Sequence, residues 1–132
     1  MEKKINKFIY WTPRILSIIF ICFLALFSLD VISPELNFWQ IVVGLFMHNI
    51  PVFVLLIVLL ISWKREIVGG ITFTLAGILY VAMVLMNMFR DSFEWYMVIW
   101  VLTIAGPAFL IGILFFVNWF KKRNNYKDVL VK

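Results

Sequence analysis

The sequence has little charge, one cysteine and one histidine. Only 14% of its 132 residues are charged, and the single cysteine and histidine are Cys22 and His48. A lone cysteine excludes an internal disulfide. One histidine, with no carboxylate nearby on its own predicted helix, is too few ligands for a metal site. We therefore predict no metal, no cofactor and no enzymatic activity.

Apolar residues dominate what is present. Hydrophobic residues make up 64% of the chain and aromatic residues 18%, whereas an ordinary soluble domain is about half apolar and about a quarter charged. The apolar residues form four blocks, at Ile15 to Leu29, Phe38 to Ile61, Ile67 to Phe89 and Trp95 to Phe120. A helix needs about 20 such residues to cross the hydrocarbon, and the alternating pattern of a barrel is missing. The pattern predicts an all-α, antiparallel bundle of four transmembrane helices.

The polar breaks set the predicted boundaries. We expect one membrane domain over residues 1–120, with helices at about 13–32, 36–62, 66–89 and 93–120. Residues 121–132 are expected to be a basic tail without regular structure. The segment before the first span has an apolar face opposite most of its lysines, which predicts a short N-terminal interfacial helix.

Three local signals predict where helices start. Thr12 is a candidate N-cap, and Pro13 suits a first helical position because its missing amide hydrogen does no harm there. Asp91 and Glu94, three residues apart, predict a capping box before the fourth span. No small-x-small cleavage site follows the first span, so we expect that span to be retained.

Charge orients the predicted bundle. Eleven of the twelve lysines and arginines fall before the first span, between the second and third, or after the fourth, and only Arg90 falls on the other side. Positive loops stay inside, so both termini of this multi-pass protein should face the cytoplasm, with the chain in the cytoplasmic (inner) membrane. The net charge of +5 then reflects contact with anionic lipid. Besides the lipid bilayer, a homo-oligomer or a partner membrane protein is expected, and no nucleic acid.

Four polar residues fall near the predicted bilayer centre: His48, Asn49, Tyr80 and Thr103. Pro51 and Pro107 should bend their helices, and each proline frees the carbonyl of the residue four positions earlier. A freed carbonyl in lipid must find a donor. We therefore expect the four polar residues to hydrogen-bond across helices as a ligand-binding or polar core.

Small residues accompany these polar groups. Gly44 lies one turn before His48, and Gly77 and Gly106 fall at a similar depth on the third and fourth spans. Glycines of this kind let neighbouring helices approach closely. We expect Gly44, Gly77 and Gly106 to be sites of close packing beside the bends at Pro51 and Pro107.

His48 has three interpretations: a structural hydrogen bond between helices, a site for a ligand or ion, or a group that transfers protons. The leading functional hypothesis is a non-enzymatic module that binds a small hydrophobic ligand or a partner membrane protein around this His/Pro centre. The alternative is a small transporter or proton-linked channel, expected to be oligomeric because four helices are few for a monomeric pore.

Three stretches also carry a family resemblance: TPRILSIIFICFLALFSLD, HNIPVFVLLIVLLISWKREIVGG and GPAFLIGILFFVNW. Together they resemble small four-helix integral membrane proteins of bacteria and archaea that are classed as a domain of unknown function. The resemblance covers about residues 13–119. It implies the four-helix topology and no assigned activity, so it gives no role to His48.

Overall fold

The computed structural model describes residues 6–131, and these residues are almost entirely helical. The elements, in chain order, are α1 (Lys7–Phe27), a 3-10 helix (Ser28–Val31), α2 (Phe38–His48), α3 (Ile50–Ser62), α4 (Glu66–Arg90) and α5 (Trp95–Leu130). The all-α prediction is confirmed for this part of the chain. Three of these helices, α1 with the 3-10 helix, α4 and α5, are long and apolar enough to cross a membrane, and α2 with α3 makes a fourth if the bent pair is one span.

Four helices form a ring. α1 packs on α5 and α3, α3 packs on α4, and α4 packs most extensively on α5. The enclosed core consists of Phe20, Ile21, Leu55, Leu59, Phe73, Ala108, Ile111 and Phe115. The rings of Phe73 and Phe115 stack with their centroids 6.0 Å apart. Glycines at the contact, Gly70 and Gly77 on α4 and Gly112 on α5, let these two helices approach each other around the stacked rings.

Two ends of the bundle can be distinguished by charge. The basic end carries the start of α1, the α3–α4 turn with Lys64 and Arg65, and the C-terminal part of α5. The acidic end carries the connections with Asp30, Glu35, Asp91 and Glu94. Most buried residues lie toward the basic end: in α4 they run from Glu66 to Gly77, and none follows among the remaining residues of that helix.

The first helix begins earlier than predicted and runs straight through Pro13. The predicted interfacial helix lies partly outside the described residues, and its remainder, from Lys7 onward, belongs to α1. Thr12 is not an N-cap, because it lies inside α1 and its hydroxyl donates to the carbonyl of Phe8 at 2.6 Å. The helix tolerates Pro13 because the carbonyl that proline leaves free finds a donor elsewhere, as shown below.

The second predicted span is broken. α2 and α3 meet at Asn49 with a bend of 42°, two residues before Pro51, which occupies the first turn of α3. Only α3 joins the ring. Within the described residues α2 packs on the 3-10 helix and on α3 alone, and none of its side chains is buried.

Two predictions about the last helix were wrong. α5 continues to Leu130, although we expected a tail without regular structure after residue 120. The sequence has no glycine or proline after Gly112, and extending an existing helix avoids the cost of nucleation. The predicted capping box is missing too. Asp91 is the C-cap of α4, and Glu94 is the N-cap of α5 but makes no capping hydrogen bond with its side chain.

Candidate functional site

The imidazole of His48 lies at the end of α2 and is exposed on the surface of the chain. Its Nδ1 is 3.1 Å from the carbonyl oxygen of Gly44, one turn earlier. In the neutral ring that bond requires a hydrogen on Nδ1, which leaves Nε2 as an acceptor. The neutral form of His48 therefore presents an acceptor on a helix with no buried side chain.

The other three predicted polar residues do not join His48. Tyr80 and Thr103 lie on α4 and α5, which α2 does not contact. The hydroxyl of Thr103 donates to the carbonyl of Ile99 at 2.7 Å, and the amide nitrogen of Asn49 donates to the carbonyl of Leu45 at 2.8 Å. His48, Asn49 and Thr103 bond to a carbonyl of their own helix, one turn earlier, in place of the predicted bonds between helices.

The predicted small residues have three different surroundings. Gly44 lies against the side chain of Val31, so it sets how closely α2 approaches the 3-10 helix. A Cβ at Gly77 would lie 2.9 Å from the ring of Phe109 on α5. Gly106 has open space where its Cβ would be, and Pro107 lies within the continuous helix α5. Close packing at Gly106 was therefore a wrong expectation.

A buried ion pair lies at the basic end. Arg14 is fully buried and its Nη2 is 3.2 Å from Oε1 of Glu66, which is also buried. The same nitrogen donates to the carbonyl of Trp63 at 3.3 Å, and Nη1 donates to the carbonyl of Tyr10. The guanidinium also lies 3.5 Å from the centre of the Tyr10 ring. One side chain thus connects α1 with the end of α3 and the start of α4.

The electrostatics of this arrangement are favourable at both helix ends. A helix C-terminus carries partial negative charge and an N-terminus partial positive charge. Arg14 meets the last turn of α3 through the Trp63 carbonyl, while Glu66 occupies the first turn of α4. The pair therefore holds the α3–α4 turn against α1.

Asn118 makes the second polar connection at this end. It is 1% exposed, and its Nδ2 donates at 2.9 Å to the carbonyl of Ile9 on α1. Ile9 precedes Pro13 by four residues, so its carbonyl is the one that proline cannot bond. Asn118 supplies the missing donor from α5. The hydroxyl of Ser17 then donates to the carbonyl of Pro13 at 2.6 Å.

Sequence reasoning missed both connections. Arg14 was counted only as a positive charge for orientation, and Pro13 was assigned to a first helical position where no carbonyl would be freed. The sequence did contain a signal, since Glu66 is an acidic residue in the basic connection SWKRE. An isolated carboxylate among cations at an apolar boundary favours a paired role.

A cleft of about 350 Å³ lies at the acidic end. Tyr80, Asn87, Asp91 and Tyr96 contribute its polar groups, and Trp100 also lines it. Tyr80 is therefore associated with this cleft instead of with His48.

The comparison with protein families bears on the whole chain. A family model for a domain of unknown function, DUF7670, matches residues 1–127. The chain belongs to the DUF7670 family. No curated protein and no solved structure matches it. Membership in a family of unknown function confirms that part of the resemblance, while the bacterial or archaeal origin stays a prediction.

Proposed function

We propose that this DUF7670 chain is a non-enzymatic module of the cytoplasmic membrane that binds a partner membrane protein through α2. The basic end, with both termini, faces the cytoplasm in this proposal, because nearly all lysines and arginines lie there. The observation that carries the proposal is the position of His48 on a helix that the ring leaves outside.

A polar side chain at membrane depth is costly unless it faces the protein or a partner. His48 is exposed to the surroundings of the chain, and in the neutral ring its Nε2 is an acceptor while Nδ1 bonds Gly44. A helix of a partner that offers a donor would satisfy this nitrogen. Val43 and Met47, four residues apart on an adjoining face of α2, are about 60% exposed and would lie at the edge of the same contact.

A protein partner fits this surface better than the small hydrophobic ligand that we also considered. Ligand sites are concave and enclose most of the ligand. His48 lies outside the cleft around Tyr80 and on a helix with no buried side chain. A convex helix face is typical of contact between helices.

Photo-crosslinking in cells tests the proposal with a matched pair of positions. Met47 on α2 is 60% exposed and Met83 on α4 is 61% exposed, so a photoreactive residue at either site meets lipid equally often in a chain without partners. We expect a discrete protein adduct from position 47 that His48→Ala weakens, and only lipid adducts from position 83. A mass increase of one further chain, 15.6 kDa, would identify the partner as a second copy.

Identical lipid adducts at both positions would overturn the proposal. A small non-lipid mass at position 47, lost in His48→Ala, would replace the protein partner by a hydrophobic ligand. Proton or ion flux in liposomes that depends on His48 would favour the transporter alternative instead.

A further inference from the structure

A basic groove of about 370 Å³ lies between the α3–α4 turn and the C-terminal part of α5. Lys64 and Arg65 line it from the turn, and Lys122 and Arg123 line it from α5. These cations come from segments more than 50 residues apart, so the fold brings them together. We call this site the basic groove.

The one carboxylate in the lining does not cancel this charge. Glu66 contributes to the wall of the groove, but its side chain is buried and its Oε1 lies 3.2 Å from Nη2 of Arg14. The charge of Glu66 is therefore balanced by a buried arginine behind the wall. Glu66 therefore does not neutralise the four exposed cations that line the groove.

Aromatic residues in the lining of the groove are typical of the boundary between membrane and water. Trp119 and Tyr126 line it together with Ile67, and the guanidinium of Arg123 lies 5.4 Å from the centre of the Trp119 ring. Stacking on an aromatic face holds an arginine in place while its N–H groups remain available to an anion. Tryptophan and tyrosine are typical of the boundary between hydrocarbon and headgroups.

We propose that the basic groove binds the phosphate of an anionic phospholipid headgroup. Lysine and arginine donate charge-assisted hydrogen bonds to phosphate oxygens, and basic pockets at the ends of apolar helices are suited to such headgroups. A lipid is favoured over free phosphate because the groove has an apolar and aromatic side at the end of the apolar part of α5, where acyl chains begin. This site is at the opposite end of the molecule from the acidic end that α2 adjoins, so it stands independently of the proposed partner.

Native mass spectrometry of the detergent-purified chain with phosphatidylglycerol tests the site, with phosphatidylcholine as the uncharged reference. The groove variant is Lys122→Gln with Arg123→Gln. The control is Lys121→Gln with Lys127→Gln, which removes the same charge from the same helix at positions outside the lining. A third variant, Lys64→Gln with Arg65→Gln, changes the opposite wall.

We expect each groove pair to weaken phosphatidylglycerol binding about thirtyfold and the control pair to weaken it about threefold or less. Phosphatidylcholine binding should not change, and excess inorganic phosphate should not displace the bound lipid. Equal losses in the groove and control pairs would overturn the site, because they would indicate diffuse attraction. Displacement of the lipid by inorganic phosphate would overturn the lipid as the ligand. All variants change exposed residues, and unchanged elution on gel filtration checks that each is folded.

Discussion

The two ends of the bundle are built differently. At the basic end, a buried polar cluster connects α1 to the other three helices of the ring. Arg14 on α1 bonds Trp63 at the end of α3 and Glu66 on α4, and Asn118 on α5 bonds Ile9 on α1. At the acidic end, α2 packs only on the 3-10 helix and α3, and the last half of α4 has no buried residue in the described chain. The basic end is held by contacts within the chain, and the acidic end exposes helix surface that a partner can contact.

This difference separates stability from interaction. Hydrogen bonds and ion pairs between helices hold those helices in one arrangement. The basic end has such bonds, although Nε of Arg14 and Oδ1 of Asn118 are buried there without a hydrogen-bond partner, so substitutions there should act on the stability of the isolated chain. The acidic end has exposed polar groups bonded within their own helices, so substitutions there should act on what the chain binds.

Removing Arg14 should have the largest effect on stability. Arg14→Met leaves the carboxylate of Glu66 buried without its partner, and breaking a buried pair in this way costs about 3–5 kcal/mol. Unfolding by sodium dodecyl sulfate in mixed micelles, followed by circular dichroism, measures the change. The double variant Arg14→Met with Glu66→Met should recover most of the loss, because both charges are gone. A double variant as unstable as the single one would contradict a paired role.

Asn118→Leu should cost about 1–3 kcal/mol, since the half-buried Ile9 carbonyl would lose its donor. Pro13→Ala provides a sharper test, because alanine restores the backbone N–H that can bond the same carbonyl. In the Pro13→Ala background, Asn118→Leu should therefore cost clearly less. Strictly additive effects in this double-mutant cycle would show that Asn118 does not substitute for the missing amide.

Two glycines on α5 should differ in how much stability a Cβ costs. A Cβ at Gly112 would lie 3.1 Å from the backbone nitrogen of Thr74 and 3.2 Å from the carbonyl oxygen of Gly70. Gly112→Ala should destabilise the chain by about 1–3 kcal/mol, because α4 must move away. Gly106 has open space toward the other helices, and the gain of about 0.5–1 kcal/mol in helix propensity is offset by crowding between the new Cβ and the ring of Pro107. Gly106→Ala should therefore change the stability by less than about 1 kcal/mol. The same unfolding titration measures both, and a loss for Gly112→Ala no larger than that for Gly106→Ala would contradict the α4–α5 contact described above.

The sequence was sufficient for the parts of the fold that depend on apolar length. The four apolar blocks, their helical nature and the bend near Pro51 follow from composition and from one missing amide. The polar contacts were not predictable in the same way, because they depend on which faces meet. His48, Tyr80 and Thr103 share a predicted depth, but α2 does not contact α4 or α5. Arg14 and Glu66 are separated by 52 positions and meet because α1 packs beside the α3–α4 turn.

The rule that a proline inside a helix frees a carbonyl holds in this chain. For Pro51 and Pro107 it predicts bonds between helices near the predicted bilayer centre. Its clear case is Pro13, whose freed carbonyl accepts from Asn118. The reason is that α1 begins at Lys7. Pro13 is therefore the seventh residue of the helix and frees a carbonyl, whereas a proline in the first turn frees none.

His48→Ala should have the smallest effect on the stability of the purified chain, and this tests the comparison of the two ends most directly. The imidazole is exposed and its recorded bond is to Gly44 in its own helix, so its loss should change the free energy of unfolding by less than about 0.5 kcal/mol. The titration that detects Arg14→Met measures this as well, with Thr103→Ala as a control that removes another exposed side chain bonded within its own helix. A loss for His48→Ala approaching that of Arg14→Met would mean that α2 is held inside the bundle by its histidine. A negligible loss, together with a weakened crosslink at position 47, would mean that the histidine acts between molecules.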